Sequence, residues 1–149
     1  MPERPGTPPS GPAGPAAGDV WRYPYLWHRQ ARAGETEGRK DRPCALAVAQ
    51  RAEDGRTVVY LVPITSVSPS PSQTHAVEVP LLEKRRAGLD AHLPLWVIVD
   101  EFNEDVPAQS FYFEPGNRMG SFSSAFTQAV RGAMIRALQA RALARVPRR

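Results

Sequence analysis

The chain has 149 residues and a formal net charge of +4 at neutral pH, which is enough length for one domain with its own hydrophobic core. The charge is local, because residues 115–149 contain seven arginines and no acidic residue, so basicity alone is weak evidence for nucleic-acid binding. A single cysteine, Cys44, excludes an internal disulfide framework and favours a reducing, cytoplasmic location. No apolar run approaches the roughly 20 residues of a transmembrane helix, so no membrane partner is predicted.

Residues 1–17 differ in composition from the rest of the chain. They contain six of the 16 prolines and no aromatic or β-branched aliphatic residue. Such a segment buries too little apolar surface to offset its ordering entropy, so we predict a disordered tail. It also lacks the apolar stretch of a secretory signal peptide. The predicted folded domain therefore covers residues 18–146.

An apolar run at residues 58–62, which reads Val-Val-Tyr-Leu-Val, predicts a central strand buried on both faces. Pro63 has no N–H to donate, so we expect it to end the strand pairing. Thr65 and Ser66 follow, which places two hydroxyl groups at the mouth of a rigid strand. Such a pair is suited to binding a phosphate, although serine and threonine are also ordinary loop residues.

The remaining elements describe a small, curled β-barrel with α-helical additions. A second fully apolar strand is predicted at residues 95–99, and two such strands in so small a domain suggest that a second copy of the chain covers one sheet face. Further strands are predicted at residues 19–26, 44–49, 75–79 and 111–113, with a short helix between Pro80 and Gly88. The C-terminal helix is capped by Ser123 and Ser124, with an apolar face of Phe126, Val130, Ala133, Met134, Ala137 and Leu138.

The loop at residues 28–42 is long and mixed in charge, which is typical of functional or disordered loops. Arg42 is the exception among its charged residues. Pro43 forces Arg42 into an extended conformation, which fixes its guanidinium at the start of a core strand.

Three short motifs together resemble the PemK/MazF family of ribonuclease toxins. Residues 18–21 read Gly-Asp-Val-Trp, Glu37 precedes Arg42-Pro43 at the family's spacing, and residues 63–66 read Pro-Ile-Thr-Ser. The resemblance covers residues 18–113. It implies an SH3-like barrel of the type shared with CcdB, a homodimer, a cognate antitoxin, and endoribonuclease activity on single-stranded RNA.

RNA can be cut without a metal or cofactor when its own 2′-OH attacks the adjacent phosphate, given a proton acceptor, a charge stabiliser and a proton donor. Arg42 suits charge stabilisation because a guanidinium is always ionised and forks onto phosphate oxygens. The resemblance implies that Arg42 and Thr65 are the family's functional pair and that Asp100 takes part in proton transfer; otherwise Glu37, Arg39 or Lys40 must contribute. Further substrate contacts are expected from Ser66, Glu37, Arg39 and Lys40. The three histidines, at 28, 75 and 92, are far apart in sequence, so neither a metal site nor a cofactor is predicted.

The sequence departs from the family at two positions. Ile98 stands where an Arg-x-Asp motif ending at Asp100 has its arginine, and the first loop lacks the histidine that family members often carry. These departures keep a second hypothesis open, a non-catalytic barrel that binds RNA or protein. A third alternative is a gyrase-binding toxin of the same fold.

Overall fold

The computed structural model describes residues 14–71 and 75–148. Residues 1–13 of the predicted tail lie outside the described residues. The strands are β1 (Asp19–Tyr23), β2 (Arg42–Arg51), β3 (Thr57–Thr65), β4 (Ala76–Glu78), β5 (Trp96–Ile98), β6 (Glu101–Asp105), β7 (Arg118–Ser121) and β8 (Ala144–Pro147). The helices are α1 (His28–Arg32), α2 (Leu81–Arg86) and α3 (Ser124–Gln139), with 3₁₀ turns at Pro107–Gln109 and Pro115–Asn117. No helix of the described chain is long and apolar enough to cross a membrane.

All eight described strands belong to one sheet, with β3 at its centre. The main path runs β4-β5-β3-β2-β1-β7, and every neighbouring pair along it is antiparallel. The long strand β3 pairs with β2 along one edge, whereas its other edge is shared between β6 and β5. Strand β8 lies parallel to β6 and extends that branch of the sheet. The mainly β class with α-helical additions is therefore confirmed.

The two ends of the sheet path are joined by a helix rather than by strand pairing. Strands β4 and β7 have no registered pairing with each other. Instead, Gly120 of β7 lies so close to α2 that a Cβ atom there would stand 2.5 Å from the carbonyl oxygen of Arg86. The sheet is curled, but it is not closed by hydrogen bonds among the described strands, and the SH3-like type remains a prediction.

Both faces of β3 are covered within a single chain. Val62 belongs to a cluster that α3 closes through Phe126 and Val130, and Leu61 belongs to an aromatic cluster with Trp21 on the other face. Leu61 and Val62 are completely buried in the single chain. The sequence argument for a homodimer thereby loses its premise, since no second copy is needed to cover this strand. The homodimer itself remains a prediction.

Several sequence predictions are confirmed, and others need correction. The hairpin of β2 and β3, the short helix α2 after Pro80 and the Ser123 cap of α3 are as expected; the Ser123 hydroxyl accepts a hydrogen bond from the Phe126 N–H at 3.1 Å. Helix α1 lies within the segment predicted as a loop. The strand predicted at residues 111–113 is absent, and Phe111 is 90% exposed. Leu138 is exposed rather than part of the buried face of α3.

Pro63 does not end the pairing of β3, contrary to expectation. The strand continues to Thr65, and Pro63 pairs with Cys44 of β2. On its other edge β3 pairs with β6 as far as Leu61 and with β5 from Ile64 onward. Pro63 lies where the partner strand changes, a position at which a sheet tolerates a residue without an N–H.

The unexpected strand β6 fixes the segment that follows β1. Asn103 is fully buried, and its side-chain amide bonds both the N–H and the carbonyl of Leu26 at 2.8 and 2.7 Å. Asp105 accepts a hydrogen bond from the Tyr23 hydroxyl at 2.7 Å. Because these polar groups are buried with partners, they hold the backbone that leads into Trp27 in one position.

Candidate functional site

Arg42 and Thr65 stand side by side at one end of the central hairpin. The register of β2 and β3 pairs Cys44 with Pro63; continued by two residues it would set Arg42 opposite Thr65, and both residues line the same cavity. Tyr23 flanks Arg42 on β1, and Trp96 flanks Thr65 on β5. Opposite residues in antiparallel strands project from the same face with Cβ atoms about 5 Å apart. A single small anion can therefore contact both side chains.

This pair opens onto a groove of about 580 Å³, called here the Arg42 groove. Besides Arg42 and Thr65, two of the predicted substrate contacts, Ser66 and Lys40, line it. The other charged lining residues are Arg22, Arg29, Asp41 and Asp90, so four basic groups face two acidic ones. The apolar part of the lining consists of Trp27, Pro43, Ile64, Val67, Leu89, Leu93, Leu95, Ile98 and Met119. The groove thus combines a positive balance with an apolar floor.

The Arg42 guanidinium lacks a compensating anion among the described residues. Its Nε is buried without a hydrogen-bond partner, and Arg42 takes part in no described salt bridge. Its guanidinium carbon lies 5.1 Å from the centroid of the Trp27 ring. A half-buried cation without a counter-charge is costly, so an anion entering the groove would compensate it.

Thr65 presents its hydroxyl in a defined position. Its Oγ1 accepts a hydrogen bond from the Val67 N–H at 3.1 Å, which ties the side chain to the turn that ends β3. The hydroxyl proton is still available for donation to a ligand. Ser66, the next residue, is exposed at the same edge of the groove.

Asp100 does not line the groove. Thr65 pairs with Trp96, β5 ends at Ile98, and Asp100 lies in the bend that follows. Asp100 is half-buried, and burial raises the pKa of its carboxyl group. Ile98, which stands where the family resemblance expects an arginine, lines the groove instead. The structure therefore brings an apolar side chain, and not the predicted carboxylate, to this wall.

The other predicted contacts are divided between the groove and its surroundings. Arg39 is held by Glu35 through two hydrogen bonds of 3.0 and 2.7 Å, and it lines a neighbouring pocket rather than the groove. Glu37 is exposed and lines neither of these two cavities. Lys40 lines both. Of the four first-loop residues predicted as site residues (Glu37, Arg39, Lys40 and Arg42), only Lys40 and Arg42 line the groove.

Sequence reasoning missed several groove residues. Arg22 is the exposed residue in the alternating segment of β1 and pairs with Pro43, so the strand pattern together with the hairpin could have located it. Asp41 precedes Arg42 and could have been inferred from that proximity. Trp27, Arg29 and Asp90 reach the groove through tertiary packing, for which the sequence offers no local signal.

Comparison with known proteins adds no identification, since no family model and no curated protein matches this chain. Within residues 14–71 and 75–148, no three His, Cys, Asp or Glu side chains come together as potential metal ligands.

Proposed function

We propose that the Arg42 groove binds the phosphate backbone of single-stranded RNA, and that the protein is an endoribonuclease toxin of the PemK/MazF type. The observation that carries this proposal is that the uncompensated Arg42 guanidinium and Thr65 line the same groove. Guanidinium and hydroxyl donors are the groups that hold a phosphate, and only the guanidinium brings a permanent positive charge.

In this proposal cleavage proceeds by attack of the RNA 2′-OH on the adjacent phosphorus. The attack forms the bond from the 2′-oxygen to phosphorus while a base takes the 2′-OH proton, and it breaks the bond to the 5′-oxygen, which takes a proton from water; the products are a 2′,3′-cyclic phosphate and a 5′-hydroxyl. Negative charge accumulates on the phosphate oxygens in the transition state, where Arg42 stabilises it. Thr65 and Ser66 orient the same phosphate by donating hydrogen bonds.

The proton acceptor is best sought among the carboxylates that line the groove. Asp90 is engaged in a local turn, because its Oδ1 accepts a hydrogen bond from the His92 N–H at 2.9 Å. Asp41 is exposed and adjacent in sequence to Arg42. We therefore assign the general base to Asp41 rather than to Asp100.

The second candidate function is a non-catalytic module that binds RNA through the same groove. Two features of the groove favour this alternative. Asp100, the expected proton-transfer residue, does not line the groove, and Ile98 lines it where the family resemblance expects an arginine. The toxin proposal also includes a cognate antitoxin and a homodimer.

The deciding experiment is incubation of the purified full-length protein with a long single-stranded RNA in the presence of a metal chelator. We expect cleavage with 2′,3′-cyclic phosphate ends, and a decrease of about 100-fold in kcat/KM for Arg42→Ala. Arg51→Ala is the matched control, since Arg51 lies at the opposite end of the same strand and donates only to the Gly55 carbonyl. Binding without cleavage, lost in Arg42→Ala and kept in Arg51→Ala, would favour the non-catalytic module. Absence of RNA binding, or full activity in Arg42→Ala, would refute both.

A further inference from the structure

A second cavity adjoins the Arg42 groove on the side of α1. It has a volume of about 360 Å³ and shares Trp27, Arg29, Lys40 and Arg42 with the groove. Its remaining lining residues are Tyr25, Gln30 and Arg39, so it contains four basic side chains and no acidic one. We call it the α1 pocket. All charged residues that line the α1 pocket are basic, whereas the groove is also lined by two acidic residues.

The cations of the α1 pocket differ in availability. Arg39 is neutralised by its bidentate contact with Glu35. By contrast, the side chains of Arg29 and Lys40 form no hydrogen bond or salt bridge with any residue in the described ranges. These two cations are thus available to a ligand, beside the Arg42 guanidinium that already faces the proposed phosphate site.

Trp27 lines both cavities. The guanidinium carbons of Arg29 and Arg42 lie 4.9 and 5.1 Å from its ring centroid. The Trp27 side chain is only 9% exposed, so little of the ring is accessible for stacking of a nucleobase. The ring holds two arginines in place, and the pocket accordingly offers charge without base recognition.

Building on the proposed function, we propose that the α1 pocket binds a second phosphate of the same RNA strand, the one adjacent to the phosphate held by Arg42 and Thr65. Arg29 and Lys40 are the contacts. Because the pocket contacts the backbone and not the bases, it contributes affinity and register along the strand but no sequence preference.

The test uses three 2′-deoxy dinucleotides, which cannot undergo 2′-OH attack: one with hydroxyl ends, one with an added 5′-phosphate and one with an added 3′-phosphate. We expect one of the two terminal phosphates to raise the affinity of the wild-type protein about tenfold, a gain typical of one charge-assisted contact. In the Arg29→Ala/Lys40→Ala double variant this gain should fall below about twofold. Arg32→Ala is the control, since Arg32 is an exposed arginine of α1 that lines neither cavity, and it should keep the gain.

The outcomes separate this inference from the proposed function. The inference is overturned if neither terminal phosphate raises wild-type affinity, or if the gain persists in the double variant while circular dichroism shows an intact fold. Loss of binding of the unphosphorylated dinucleotide in Arg42→Ala reports on the proposed function alone. Absence of wild-type binding to all three dinucleotides would overturn both.

Discussion

The identity of the proton acceptor gives the sharpest test of the groove. A general base must come within about 3 Å of the proton it removes. Asp41 lines the groove next to Arg42, whereas Asp100 lies in the bend after β5 and does not line the groove. We expect Asp41→Asn to lower kcat by about 10²- to 10⁴-fold, the usual contribution of a general base.

The same experiment includes its own control. Asp100→Asn should change kcat by less than about threefold. The assay is single-turnover cleavage of a single-stranded RNA at neutral pH. A decrease of more than about 100-fold in Asp100→Asn, with full activity retained in Asp41→Asn, would refute the assignment and return proton transfer to the residue that the sequence resemblance indicates.

Three further predictions concern stability. Burial raises the pKa of Asp100 in the folded state, so the ionised carboxylate destabilises the fold at neutral pH, and this cost disappears as the pH falls. In urea denaturation, Asp100→Asn should therefore be more stable than wild type at pH 7 and equally stable near pH 3. Ser123→Ala removes the N-cap of α3 and the hydroxyl that donates to Glu83 at 2.7 Å, which should cost about 2 kcal/mol, or about 4–8 °C in Tm; an unchanged Tm would contradict the capping argument. Gly120→Ala forces a Cβ against the backbone of α2 and should cost about 1–3 kcal/mol, whereas Gly116→Ala, with open space around it, should be close to neutral in the same calorimetric scan.

The convergence of Arg42 and Thr65 could be predicted because it depends on local rules. Apolar runs identify β2 and β3, the turn at residues 53–56 makes them a hairpin, and Pro43 keeps Arg42 extended. The hairpin then brings the two residues to the same end of β2 and β3, where both line the groove. No contact distant in sequence is needed for this part of the site.

The position of Asp100 could not be predicted in the same way. It depends on where β5 ends and on β6, an acidic strand that no hydrophobic pattern indicates. Glu104 and Asp105 are buried in β6 because distant residues provide partners: Arg145 binds Glu104 at 2.8 Å, and Tyr23 binds Asp105. Such partners come together only in the folded chain, so the residue pattern of this segment does not indicate which way the Asp100 side chain faces.

The homodimer hypothesis was based on apolar strands that the structure covers with other parts of the same chain. The apolar runs at residues 58–62 and 95–99 correctly indicated strands covered on both faces, but α3 and the aromatic cluster around Trp21 provide that cover from the same chain. The exposed apolar side chains lie elsewhere, with Ile135 and Leu138 on the outer face of α3 at 54% and 59% exposure. A second copy of the chain therefore has no apolar strand to cover. If the protein dimerises, the contact must use a different surface from the one that motivated the hypothesis, and the Arg42 groove is built without it.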